Sequence, residues 1–221
     1  MTHKIIKITN QTDWLQNRTK GIGGSDAACI LGLNPFKTNL DLWREKTGKK
    51  QATDISNNPA VKYGKDAEEP LRQLFLLDYP QYVLNYEPFD IHCNSKHEFI
   101  RGTFDGELFD TNQFMLKGIY EGKTTEIRQS NDWLKWKDQV PQNYFCQVLH
   151  YFAIDEEYKF CKLKAQLKHY DDNGEVLNTT KHYHFDREKY QTDIDYLIEE
   201  EIKFWWHIEN DKEPPLKLPE I

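Results

Sequence analysis

The densest chemistry in this chain lies in Tyr120-Glu121-Gly122-Lys123-Thr124, where a carboxylate and an ammonium stand two residues apart in a strand-like segment. A strand alternates its side chains, so Glu121 and Lys123 fall on one face. Upstream, Phe104-Asp105-Gly106-Glu107 ends an apolar approach through Phe99 and Ile100. A hairpin joining the two segments brings Asp105 beside Glu121. An acid from each of two paired strands, with a lysine two positions on, can hold Mg²⁺ and polarise a water. The spacing alone is weak, because Glu157/Lys159 and Glu201/Lys203 repeat it. In a helix the last pair points apart. A turn aspartate with an exposed cross-strand ion pair is the competing reading.

A third acid comes from residues 61–77, where Gly64, Glu68, Leu71 and Phe75 form one helical stripe and Lys65, Asp66, Glu69, Arg72 and Gln73 form the polar face. Glu68 therefore points inward, where carboxylates are rare unless paired or bound to metal. Pro70 implies a kink, or a helix start at Glu69-Pro70. Gly23-Gly24-Ser25 opens another helix, offering backbone N–H groups and a hydroxyl to an anion; a plain N-cap role for Ser25 is the alternative. No Gly-Lys-Ser/Thr follows, so this is not a P-loop. On the helix after Pro141, Tyr144, Gln147 and Tyr151 share a stripe, although a lone inward glutamine is usually a satisfied core amide.

The elements that must position these groups read as a mixed α/β (α+β) unit, one domain over 1–221, with a central mixed sheet flanked by helices. A short strand at 5–8 and a helical turn at 13–18 precede an apolar helix at 27–31, and Thr38 caps a helix ended by Gly48. Alternating segments at 82–93, 98–109 and 114–125 follow the 61–77 helix. A helix at 141–154, a hairpin of 159–169 with 176–185 around Asp171-Asp172-Asn173-Gly174, and a long acidic helix at 187–208 complete the chain. In that last helix Tyr190, Ile194, Leu197, Ile198, Ile202 and Trp205 make an apolar stripe expected to pack in the core. The net charge of −7 argues against a uniformly basic nucleic-acid binder. Yet Arg18 to Lys65 holds nine basic and four acidic residues, while Asp186 to Glu213 holds ten acidic and four basic, so the acidic helix is expected away from the basic segment. Cys29, Cys93, Cys146 and Cys161 lie too far apart for a disulfide framework or zinc ribbon, and read as buried thiols. No apolar run approaches the ~20 residues of a membrane span, and no signal-like segment opens the chain, so a cytoplasmic location is expected.

The order of the motifs is more specific than any one of them. Arg18, then Gly21-Ile22-Gly23-Gly24-Ser25-Asp26-Ala27-Ala28, Leu31 to Thr38, Leu42 to Gly48, Gly64 to Pro70, Gly102-Thr103-Phe104-Asp105-Gly106, Glu121-Gly122-Lys123 and Pro141 to Gln147 occur in sequence. Over residues 12–155 this resembles the YqaJ-type viral recombinase family, relatives of phage lambda exonuclease in the PD-(D/E)XK nuclease superfamily. The resemblance implies a Mg²⁺-dependent exonuclease, with two ions and Mn²⁺ able to substitute. It would digest linear duplex DNA 5′ to 3′ and leave 3′ single-stranded tails for phage-type recombination. By the same resemblance Asp105, Glu121, Glu68 and the Gly122 carbonyl hold metal, Lys123 orients or deprotonates the attacking water, and Gln147 lines the site. Arg18 and Ser25 grip the terminal 5′-phosphate. A ring-shaped homo-oligomer, a trimer by analogy, a single-strand annealing partner and a phage or prophage origin in a bacterial host are also implied. Phe104 stands where the family often has proline, and the cysteine spacing differs from the iron–sulfur nucleases of the superfamily, so no cluster is expected. The rivals are an endonuclease on the same fold and a non-catalytic DNA-binding or scaffold protein; the intact acids and lysine count against the latter.

Overall fold

The computed structural model of the chain describes residues 3–218. Its centre is a five-stranded sheet in the order β2 (Tyr82–Asn85), β5 (Gly106–Asp110), β6 (Leu116–Glu126), β7 (Phe160–Tyr170), β8 (Val176–Asp186). Every pairing is antiparallel except that of β6 with β7. That parallel seam needs a crossover, which carries α5 (Ser130–Leu134) and α6 (Gln142–Ile154). A small second sheet pairs β1 (Lys4–Ile6), β3 (Ile91–Cys93) and β4 (Arg101–Gly102). The architecture is the mixed sheet flanked by helices that the sequence predicts.

Alternation along β6 sorts the core into two layers. Ile119 joins Leu163, Ala165 and Leu167 of β7 under α6 (Val148, Phe152) and α2 (Gly24–Ile30, with Ala27 and Ala28). Tyr120 points the other way, into a cluster with Phe75 of α4 (Pro59–Asp78), Tyr82, Leu108 and Phe160. Glu121 and Lys123, in phase with Ile119, therefore emerge on the α6 side. The approach of α2 to α6 depends on Gly24, where a Cβ would lie 2.8 Å from the Tyr151 ring and 2.9 Å from Gln147 Cγ.

Several boundaries differ from expectation. Residues 82–93 and 98–109 are not two continuous strands; each divides between the two sheets, the first around Pro88 and the second at Thr103 to Asp105. Helix α4 runs unbroken through Pro70: Asn58 caps it, Pro59 opens it, and burial of Leu71 and Phe75 offsets the one hydrogen bond Pro70 cannot make. Residues 187–190 form a 3₁₀ turn before α7 (Gln191–Glu209). The buried stripe of α7 is Ile194, Leu197, Glu201 and Phe204, whereas Ile202 is exposed. Helix α7 and the segment after it pack on α3 (Asn39–Lys46), not away from it: Trp43 Nε1 donates to the His207 carbonyl at 3.1 Å, Arg44 pairs with Glu213, and Lys49 with Asp211. The four cysteines are buried free thiols. Among the described residues no helix is long and apolar enough to cross a membrane.

Candidate active site

The break between β4 and β5 leaves Asp105 just outside the ladder, one step beyond the Gly106–Tyr120 pair and beside β6. There its Oδ2 accepts a hydrogen bond from the Gly122 amide at 2.9 Å. Two strands thus present Asp105 and Glu121 together, as the hairpin reading expects. Glu121 is 1% exposed, and its Oε1 accepts from Lys123 Nζ and from Gln147 Nε2, the latter at 2.8 Å. Its Oε2 is buried and has no hydrogen-bond partner among the described residues. Burial, reinforced by the nearby Asp105 charge, pushes the Glu121 carboxyl up to about 8. Burial alone would lower the pKa of Lys123, but the Glu121 and Asp105 carboxylates hold it above the ordinary lysine value. The pair is internal, so the exposed ion-pair reading of Glu121 and Lys123 fails.

Glu68 and Glu69 separate as the helical stripe predicts. Glu68 is half-buried, and its pKa is raised by burial and by Asp105, with Lys123 among the opposing charges. Glu69 is exposed and ties back to Arg72, at 3.1 Å and 2.7 Å, and to Gln73 at 2.9 Å. The register of α4 survives Pro70 because the helix does.

Gln147 is no ordinary core amide: its Nε2 donates to Glu121 and, at 2.6 Å, to the Tyr151 hydroxyl. Tyr151 in turn reaches the Thr103 carbonyl at 3.3 Å. Lys123 Nζ lies 5.1 Å from the centroid of Tyr144. Tyr151, which with Gln147 fits a Q-x-x-x-Y pattern of related nucleases, and Tyr144 both contact this cluster; for Tyr144 the shared stripe with Gln147 was the available signal. An orphaned, buried carboxylate oxygen among mutually repelling acids is what a hard cation would satisfy, and Asp105, Glu121 and Glu68 are oxygen donors suited to Mg²⁺.

Arg18 and Ser25 are both exposed, at the end of α1 (Gln11–Arg18) and in the first turn of α2. Ser25 is not the N-cap. Gly23 holds that position, and its amide is taken by Asp26 at 3.0 Å, leaving fewer free N–H groups than the sequence suggests. The Arg18 guanidinium stacks 4.6 Å from the Trp14 ring centroid, and Trp14 Nε1 donates to Thr103 Oγ1 at 2.9 Å. A chain of contacts therefore links Arg18 to the loop that carries Asp105. Much of the basic character between Arg18 and Lys65 is neutralised: Lys37, Arg44, Lys46, Lys49 and Lys50 all pair with acids. Arg18, Lys20, Lys62 and Lys65 make no ion pair among the described residues.

The chain is similar to known proteins in sequence and in fold. The chain is 30% identical over 204 residues to YqaJ of Bacillus subtilis (strain 168), covering 92% of this chain and 56% of that protein. The chain thus spans little more than half the length of this relative. Its fold is similar to that of an alkaline exonuclease, LHK-Exo, from Laribacter hongkongensis, with a TM-score of 0.60 at 14% identity over 91% of this chain and 94% of the other. A phage-related exonuclease from Haemophilus somnus 129PT gives a TM-score of 0.54 at 12% identity, covering 86% and 96%. Residues 13–158 match the YqaJ-like viral recombinase domain, and the chain belongs to that family.

Proposed function

We propose that this chain is a Mg²⁺-dependent DNA exonuclease that digests linear duplex DNA from its 5′ ends and leaves 3′ single-stranded tails for annealing. The observation that carries this reading is the buried Glu121, whose Oε1 is held by Lys123 and Gln147 while Oε2 is unpartnered beside Asp105. Family membership and a fold shared with two exonucleases support it. In this reading Asp105, Glu121, Glu68 and the Gly122 carbonyl hold the metal. Bound there, Mg²⁺, two ions by the resemblance, supplies a polarised water and neutralises charge at phosphorus. Lys123, held as an ammonium by Glu121 and Asp105, would orient that water by donating a hydrogen bond. Gln147 locks the Glu121 carboxylate so that its free oxygen stays turned inward. Arg18 and Ser25 receive the terminal 5′-phosphate. Residues 1–221 act as one nuclease unit, working as a ring-shaped homo-oligomer of three copies beside a single-strand annealing protein.

One assay separates this from its rivals. Linear duplexes with 5′-phosphate or 5′-hydroxyl ends, and a closed circle, are incubated with Mg²⁺ or with chelator. Fast loss of the phosphorylated linear substrate, slower loss of the hydroxyl substrate, an intact circle and no reaction under chelation are expected. Cutting of the circle would establish an endonuclease, and binding without cutting a scaffold.

The two neighbouring glutamates give a sharper check of the site. Glu68→Gln is expected to slow hydrolysis by about two orders of magnitude or more, since it removes a charged donor next to Asp105. Glu69→Gln should change the rate by less than about twofold, because its exposed carboxylate turns away to Arg72 and Gln73 of its own helix. The reverse ranking would remove Glu68 from the site.

A further inference from the structure

His3, just before β1, His92 of β3 and Glu107 of β5 bring three ligand atoms within 4.8 Å of one another. His3 Nε2 lies 2.8 Å from His92 Nδ1. The Tyr158 hydroxyl stands 2.6 Å from Glu107 Oε1, 3.5 Å from His3 Nε2 and 3.4 Å from His92 Nδ1. Four donors bound tetrahedrally to one zinc-sized ion are about 3.3 Å apart. The contacts among them, 2.6 to 3.5 Å, bracket that value.

The surroundings prepare the two rings for metal. Asp155 Oδ2 is 2.5 Å from His3 Nδ1, which assigns that ring's proton to Nδ1 and turns the Nε2 lone pair inward. Carboxylates orient metal-binding imidazoles in this way. His92 is 5% exposed, its ring packed against those of His3 and Phe104. The close contact between the two rings is then satisfied by the His92 Nδ1 proton, and an ion would take its place as His92 adopts the other tautomer. Lys117 Nζ, 3.3 Å from Glu107 Oε1, balances that carboxylate and has Glu157 at 4.0 Å as another partner when a cation arrives.

We propose that His3, His92 and Glu107, with the Tyr158 hydroxyl or a water completing the tetrahedron, form a second metal site, for Zn²⁺ or a similar borderline divalent ion. Two imidazole nitrogens exclude Mg²⁺ as its natural occupant and set it apart from the all-oxygen donors around Asp105. The ion staples the segment before β1 to β3, to β5 and to the turn after α6. It also backs the active site, because the Phe104 ring, adjacent to Asp105, packs 4.4 Å from His92 and 5.1 Å from Tyr158.

The test uses the full chain carrying Asp105→Asn and Glu121→Gln, so that the candidate active site cannot hold metal. After chelator treatment it is titrated with Co²⁺ and then Zn²⁺, followed by calorimetry, visible absorption and thermal melting. One equivalent of Co²⁺ with an intense tetrahedral spectrum, its displacement by Zn²⁺ and a higher melting temperature are expected. His3→Gln and His92→Gln, each added to that background, should weaken binding at least about tenfold. His3→Gln keeps the test decisive if loss of the buried His92 impairs folding. Absence of binding in the double variant, a weak octahedral spectrum, or affinity unchanged by His3→Gln would overturn the site.

Discussion

Glu121→Gln and Asp105→Asn should each cut hydrolysis to about a thousandth or less while leaving the fold intact. Both substitutions keep the shape of the side chain and remove the charge. Glu121→Gln retains an oxygen for Gln147 and relieves the repulsion from Asp105 but leaves Lys123 without its carboxylate partner, so its melting temperature should fall by less than that of Lys123→Ala, whose ammonium loss strands the more deeply buried group. Lys123→Ala should be equally inactive but for mixed reasons. It strands the buried Glu121 without its ammonium partner, a loss of about 3–5 kcal/mol for a broken internal pair. The double variant Glu121→Gln/Lys123→Met recovers that stability without recovering activity. Circular dichroism and single-turnover assays on these proteins separate the chemical from the structural effect, and normal turnover by either Glu121→Gln or Asp105→Asn would remove the site from this pair of strands.

Arg18→Ala should lower turnover on 5′-phosphorylated ends by about one to two orders of magnitude and barely affect 5′-hydroxyl ends. A charge-assisted bond to phosphate contributes about 1.5–3 kcal/mol, and a terminal monoester carries more charge than an internal diester. Arg18 is exposed and unpaired among the described residues, so its removal disturbs little besides its stacking on Trp14. Trp14→Ala serves as the companion variant: with the Thr103 contact gone, the guanidinium loses its support and part of the phosphate preference should go with it. Equal slowing on both substrates by Arg18→Ala would move the endonuclease reading ahead.

The acids were legible because their signals are local. Alternation places Glu121 and Lys123 on one face, the 3.6-residue period separates Glu68 from Glu69, and Asp171 to Gly174 marks the turn between β7 and β8. The partition of residues 82–110 between two sheets was not legible, since alternation looks alike whichever sheet a strand joins. Glu201 was read as one charge of an acidic helix and as half of an E-x-K spacing with Lys203 that points apart. It is fully buried, 2.6 Å from His150 Nδ1, while His150 Nε2 donates to the Arg101 carbonyl at 2.9 Å. Its phase with Ile194 and Leu197 held that information, but the partner is 51 positions away. His3 lies 89 positions before His92, and no spacing rule joins that pair to Glu107. The balance of the basic segment also lay beyond sequence, because the acids that neutralise Arg44 and Lys49 arrive from beyond the far end of α7.

The parallel seam between β6 and β7 also sets an order in time. The hairpins β5–β6 and β7–β8 close over short turns, whereas the seam joining them waits for the chain to travel from Glu126 to Phe160. Closing a long loop before any contact rewards it makes such pairing the slow event of folding. Asp105 and Glu121 meet in an early hairpin, but Gln147 rides on α6 inside the crossover and reaches Glu121 only as the seam closes. A chain emerging from the ribosome therefore carries its acids well before it can organise them. Completion of the sheet and assembly of the Glu121–Gln147 contact arrive in one step, so under the proposed function an unfinished chain would not yet cut the DNA around it.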